Sequence, residues 1–468
     1  MCCGLAKGIP FAKNLFDVKL QYTFYPKDGI IRISFTERGD MMNKEKIKTA
    51  AFNAAGLGAV FVCTLAFLFT VLMLTSLIPK DAIRENLVSA SHYYTSDKPF
   101  TMTNGIVHSA RDNYADCIIF NIISSVNEND LLRSVMNSAY YMNENNNVSV
   151  GLTLSAEMDV APNTEYSRYW HGTMAVLRPL LLVTDVKGII ILNWAVIIAL
   201  TALNGWLLVR KNHWEAFLFL IIGMACVQIW YVPFCICYSV PFIIMLAMSA
   251  AFVKCDEKYG GYLPVLSVVT GCVTCFADFL TTETVTILVP LLLVLVIRQK
   301  DGRFGSFKDN LLFLVKNGAA WGMSYGMMFV SKWIIAALAT GENTFMLAAD
   351  AVDARETGGG VFNALLRNIS ALYPFKEMGN VIGVYITAVI VIIAFVLMSA
   401  FKKKKIRCGF SAVMLIMALV PYLRFAVLNG HSSGHCFFTY RAQITSVMAL
   451  AAVIWYAVTV QNTKKHRT

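Results

Sequence analysis

Charge is scarce in this chain: only 15% of its 468 residues are Asp, Glu, Lys or Arg, against 57% hydrophobic, whereas soluble domains carry about a quarter charged residues. Together with a mean hydropathy of +0.58, that shortage excludes an ordinary soluble domain and places the chain in a bilayer. Acids are scarcer than bases, 29 against 40, for a formal charge of +11. In a soluble protein such an excess would suggest nucleic acid. Here Lys and Arg fall in short runs between apolar stretches, which is the pattern of membrane topology. The chain also lacks a sequence repeat between its halves, which weighs against a transporter built from inverted repeats. A second pair of metal-ligand cysteines is missing too. Cys63, Cys226, Cys235, Cys237, Cys272 and Cys275 lie in apolar runs, where a thiol is a small hydrophobe. The CxxC of Cys272 and Cys275 therefore gives no reason to invoke metal or redox chemistry. A disulfide between Cys117 and Cys436 is an open option, since both fall outside the cytoplasm in the topology below.

Residues 1–40 are mixed and polar, with neither the apolar core of a signal peptide nor helical periodicity. Codons for Arg38, Gly39 and Asp40 can spell a purine-rich ribosome-binding sequence just before Met41 and Met42. Translation is expected to start there, leaving residues 1–41 as a non-native or disordered extension; a native peptide covering Phe11 to Lys27 would contradict this.

Residues 42–468 read as one transmembrane domain. About twenty apolar residues at 1.5 Å rise cross the ~30 Å hydrocarbon core. Such runs recur at 52–78, 188–209, 216–232, 234–253, 262–280, 285–297, 311–338, 381–401, 409–428 and 444–460. The spacing predicts an all-α, polytopic bundle of about ten spans. The apolar piece 174–183 is too short to cross and reads as re-entrant or interfacial. Orientation follows from the basic flanks. Lys44, Lys46 and Lys48 precede the first run; Arg210 and Lys211, Lys254 and Lys258, Arg298 to Arg303, Lys402 to Arg407, and Lys464 to Arg467 follow every even-numbered one. Both termini are then cytoplasmic. The connections between are extracytoplasmic, the largest being a lobe at 79–187.

Unusual polar residues gather on that outer side. Asp112 and Asp116 are four apart, so on a helix they share one face, where two carboxylates can divide base and metal-binding roles. Asp112 is equally suited to cap the helix. Trp170 beside Tyr169 suits an interfacial aromatic anchor, with His171 next to it. Arg178 inside an apolar run must snorkel, pair, or hold an anion such as phosphate. Asp278, Glu283, Lys332 and Arg424 are further charges in the outer half of the spans, where each costs at least ~2.5–3.5 kcal/mol; salt bridges locking helices together are the plain alternative. In the last outer loop, His431 and His435 could bind metal if helical, but Gly430 and Gly434 argue for a loop that makes hydrogen bonds or phosphate contacts.

Through RDNYAD (111–116), RYWHG (168–172) followed by LRPLL, FADFLTTETVT (276–286) and GHSSGHCFFTYR (430–441), the chain resembles a family of multi-pass membrane proteins of unassigned activity from Gram-positive bacteria. Their layout is similar to that of GT-C glycosyltransferases. The resemblance implies a bacterial cell-membrane enzyme that moves a sugar from a polyprenyl-phosphate donor to an envelope glycan acceptor. Asp112 or Asp116, with His171, would be catalytic; Arg178, Lys332, Arg424, His431, His435 and Arg441 would hold the lipid phosphate. A divalent cation is left open as cofactor, and the metal ligands are unassigned. The acidic pair lies some thirty residues past the first span, farther than in those enzymes. The other readings are a flippase or transporter of a lipid-linked glycan and a non-catalytic envelope scaffold; no nucleic-acid partner is expected.

Overall fold

The computed structural model describes the backbone of residues 18–25, 30–37, 44–96, 98–356, 359–400 and 408–459. It divides into two compact units, residues 1–59 and 60–468. In the first, strands Val18–Tyr25 and Ile30–Glu37 pair antiparallel, with Val18 opposite Glu37 and Tyr25 opposite Ile30. The rest of the stretch read as an extension lies outside the described residues.

The second unit is almost wholly helical. Among the described residues, seven helices are long and apolar enough to cross a membrane: Asn53–Ser76, Val186–Arg210, Ile236–Glu257, Gly260–Ala277, Phe307–Thr340, Gly409–Val427 and Cys436–Ala457. They correspond to seven of the ten apolar runs. The other three runs form the helices Trp214–Cys226, Val285–Lys300 and Val381–Ala400. Val285–Lys300 is the shortest of the runs in sequence and the most enclosed: every residue from Val285 to Ile297 except Leu288 is buried. A helix apolar on all sides is a helix surrounded by protein, so its length need not match the bilayer. Large apolar side chains elsewhere face outward, among them Phe67, Leu338, Phe395 and Leu423 at 62–83% exposure. Water would not tolerate that coat, and lipid would.

Residues 79–187 fold as a small helical lobe. Its helices are Lys80–Thr95, Asn113–Ser124, Leu131–Asn137, Val148–Met158 and Met174–Leu180. A short antiparallel pair, Phe100–Met102 with Ala110–Asp112, closes one side. Asn121 knits the lobe: its amide donates to Tyr141 O at 2.8 Å, and its Oδ1 accepts from Tyr141 N and Ser155 Oγ. Trp170 is not an interfacial anchor. It is fully buried, and its indole N–H donates to Met328 O at 2.8 Å, which docks the lobe on the helix Phe307–Thr340.

Charges collect at the far end of the bundle in ion pairs. Asp256 takes Arg303 at 3.0 Å and Arg298, Glu215 takes Lys300 at 2.7 Å, and Glu257 takes Lys211 at 2.6 Å.

Candidate functional site

Around one cavity of about 600 Å³ the chain brings together segments far apart in sequence. The lobe contributes Asp112 and Tyr114 from one turn and Tyr166, Arg168 and Tyr169 from another. Cys237 begins the helix Ile236–Tyr259, Phe279 and Thr281 follow the helix Leu263–Ala277, and Asp350 lies on Thr344–Glu356. His431 and His435 close the ring. The walls are thus aromatic, with few charges converging on them.

Of the acidic pair, only Asp112 lines the cavity. Asp112 is the N-cap of the helix Asn113–Ser124, its Oδ1 accepting from Ala115 N at 2.9 Å. Its other oxygen has no hydrogen-bond partner among the described residues. Burial, and then the negative charge of Asp116, push its carboxyl up to about 7. Asp116 sits one turn on and turns away from the cavity. It accepts from the backbone N–H of Ile236 at 2.9 Å and of Cys237 at 3.1 Å, and from Tyr94 OH at 3.3 Å. It therefore caps a second helix, where the exposed N–H groups and the helix dipole favour a carboxylate. Burial still outweighs those hydrogen bonds and lifts it to about 6. A single sequence shows which helix an acid belongs to, and not which helix it caps.

His171 is enclosed as well. Its ring packs 4.8 Å from Tyr166 and 5.0 Å from Phe279, and Nε2 lies 3.2 Å from Tyr166 O. Burial, reinforced by the charge of Lys332, holds its imidazole neutral by lowering its pKa well below the usual value. It does not line the cavity.

Three of the expected phosphate ligands are engaged by carbonyls instead. Arg178, fully buried, donates to Thr75 O, Ile78 O and Ile123 O, the free ends of two helices. Lys332 donates to Met136 O at 2.7 Å and lies 5.9 Å from the Trp170 ring. Arg441 donates to Phe437 O and His108 O, at 3.1 and 3.0 Å, between the rings of Tyr238 and Tyr440. Arg424 pairs with Glu283 through two contacts of 2.9 and 3.1 Å and also reaches Leu280 O and Ser432 Oγ. This is the helix-locking salt bridge. Leu280 adopts a left-handed φ of +62°, strained for leucine, and its carbonyl is fixed by Arg424 and by His431 Nε2, both at 2.9 Å.

The last connection, expected as a loop, is helical: Asn429–Gly434 and Cys436–Thr439 form short helices. Burial of Ser432 and Ser433 removes water as a partner, and helical hydrogen bonds replace it. The rings of His431 and His435 consequently lie side by side, tilted, with centres 4.8 Å apart. Cys117 and Cys436 are both buried free thiols, so no disulfide joins them. Among the described residues no three His, Cys, Asp or Glu side chains converge as a metal-ligand set.

Arg168, Tyr166 and Tyr169 line the cavity although the sequence reading assigned none of them a site role: Arg168 and Tyr169 stand in the motif RYWHG, and Tyr166 precedes it. The Arg168 guanidinium lies 4.3 Å over the Tyr166 ring and 5.5 Å from that of Tyr169. An arginine two residues after one tyrosine and directly before another carried that signal in the sequence.

The described residues form an almost wholly helical protein with seven helices suited to a membrane and an aromatic-walled cavity. No known protein family, curated protein or solved structure matches the chain.

Proposed function

We propose that this chain is a cell-membrane enzyme of ten spans that transfers a sugar from a polyprenyl-phosphate donor to an envelope acceptor on the extracytoplasmic side, with Asp112 as base. Two features support the orientation. The segments lining the cavity belong to connections that the basic flanks assign outward or, at Cys237 and Phe279, to the adjoining ends of two runs, while the ion-paired end holds Lys211, Lys300 and Arg303 from connections assigned inward.

The observation that carries the activity is Asp112 itself. It lines the cavity, one of its oxygens is uncommitted, and its pKa of about 7 suits a group that must take a proton near neutrality. In the proposed step the free oxygen of Asp112 accepts the proton of an acceptor hydroxyl as that hydroxyl oxygen bonds to the anomeric carbon. The bond from that carbon to the phosphate oxygen breaks, the phosphate leaves with the electron pair, and the configuration inverts. Arg168, the one Lys or Arg among the lining residues, takes over the phosphate-holding role expected of Arg178, Lys332 and Arg441. Tyr114, Tyr166 and Tyr169 supply flat surfaces and hydroxyls for a sugar.

Asp112→Asn tests this, because Asn caps a helix as well as Asp does and so leaves the fold in place. Glycan modification in the envelope of cells producing the variant is expected to fall at least ~100-fold, the usual worth of a general base. Unchanged glycan with normal amounts of variant in the membrane would overturn the assignment.

A further inference from the structure

At the end opposite the cavity, a groove of about 710 Å³ runs between the helices Val186–Arg210 and Ile236–Tyr259. Leu203, Trp206 and Leu207 form one wall, and the small side chains of Ala250 and Ala251 form the other and leave the groove open. Its rim carries Arg210, Lys211 and Lys254 and no acid. Glu257 satisfies Lys211 at 2.6 Å. Arg210 lies 5.2 Å over the Trp206 ring, four residues back on the same helix, and Lys254 has no ion pair among the described residues. Trp206 and Leu203 are 56% and 41% exposed, a surface that water penalises. An apolar trough that ends in two unneutralised cations beside a tryptophan matches one molecule of the surroundings: a lipid with a negative headgroup, its chain in the trough and its phosphate at the cations.

We propose that this groove holds one anionic glycerophospholipid, with an acyl chain along Leu203, Trp206 and Leu207 and the phosphate between Arg210 and Lys254. The site is independent of the activity proposed above. Lys211, already paired, contributes field without a direct contact. Because the groove joins two spans, the lipid would act as a ligand stabilising their packing.

The test uses the purified full chain in neutral detergent, with lipid retention read by native mass spectrometry and apparent Tm read in parallel. The probes are phosphatidylglycerol, phosphatidylcholine and soluble glycerol phosphate. Phosphatidylglycerol is expected to be retained and to raise Tm, while the zwitterionic lipid and the tail-less headgroup do neither. Arg210→Gln with Lys254→Gln should weaken retention about thirtyfold, two cations each worth about fivefold at a membrane surface. Lys308→Gln with Lys316→Gln removes the same charge from the helix Phe307–Thr340 and should leave retention unchanged. Ala251→Leu fills the trough while keeping both cations and should also abolish retention, a check that holds even if the first variant fails to fold. Equal retention of phosphatidylcholine, a full effect from glycerol phosphate, or equal losses in the two double variants would overturn the proposal.

Discussion

The pair of Glu283 and Arg424 allows a structural lock to be told from an anion site. It joins the connection 278–284 to the helix Cys408–Val427, and through Ser432 to the histidine segment, so it frames one side of the cavity. Removing one partner of a buried pair costs about 3–5 kcal/mol, because the survivor is left charged and unmatched. Arg424 would keep Leu280 O and Ser432 Oγ, and the charge of Asp278 is close enough to act on it. Glu283→Gln should therefore sit near the lower bound, about 3 kcal/mol. Replacing both by apolar residues of similar volume, Glu283→Leu with Arg424→Met, should return most of that stability, since buried pairs often exchange for apolar packing at little cost. Leu280 O keeps His431 as its donor in that variant. A cycle closed with the single variants Glu283→Leu and Arg424→Met should thus show a coupling of about 2 kcal/mol or more. Apparent Tm in detergent is the readout, with a fall of several degrees for the single variant and near recovery for the double. A double variant that melts as low as Glu283→Gln would refute the lock and return Arg424 to the list of anion ligands.

The rate of sugar transfer should rise with pH along a limb centred near 7, because only ionised Asp112 accepts a proton; a pH–rate profile in proteoliposomes checks this. Asp116→Asn removes a like charge that helps hold Asp112 up, so the same limb should move to lower pH. Asp116→Ala leaves the buried N–H groups of Ile236 and Cys237 without acceptors, at about 1–3 kcal/mol each, and should lower the amount of folded protein in the membrane rather than the rate per molecule. At Gly271 a Cβ would stand 2.4 Å from Trp321 O and 2.2 Å from Ser324 Oγ, so Gly271→Leu must push the helices Leu263–Ala277 and Phe307–Thr340 apart; a loss of at least about 1–3 kcal/mol should appear as a lower apparent Tm.

The spans were legible because lipid imposes one length and one kind of surface on every helix that crosses it. The run at 285–297 shows where that logic ends: too short by the bilayer rule, it is a helix enclosed by other helices, a fact held in the neighbours and not in the run. At the site, Asp112, His431 and His435 were legible as outer polar residues that converge. Arg178, Lys332 and Arg441 misled because their partners are backbone carbonyls at the ends of distant helices, and carbonyls leave no trace in residue identity. Asp116 misled for the mirror-image reason, since its partners are backbone N–H groups 120 and 121 residues away. Arg168 is legible only as part of the motif RYWHG and Tyr169 only as a neighbour of Trp170 at an interface, while Tyr166 carries no assignment; their shared cavity depends on a fold that brings them together.

The carbonyl-bound cations also set an order of events during synthesis. The lobe at 79–187 leaves the ribosome early, but Met136 must wait for Lys332, 196 residues later, and His108 must wait for Arg441, 333 residues later. At roughly 5–20 residues per second, the second wait lasts about 17–67 s. During that interval, in the proposed orientation, the lobe would stand outside the membrane with those helix ends unfastened and open to proteases. A chain cut just before Arg441 would keep Lys332 on Met136 O but leave the His108 carbonyl without its arginine, so damage near the C-terminus would be felt far back in the lobe.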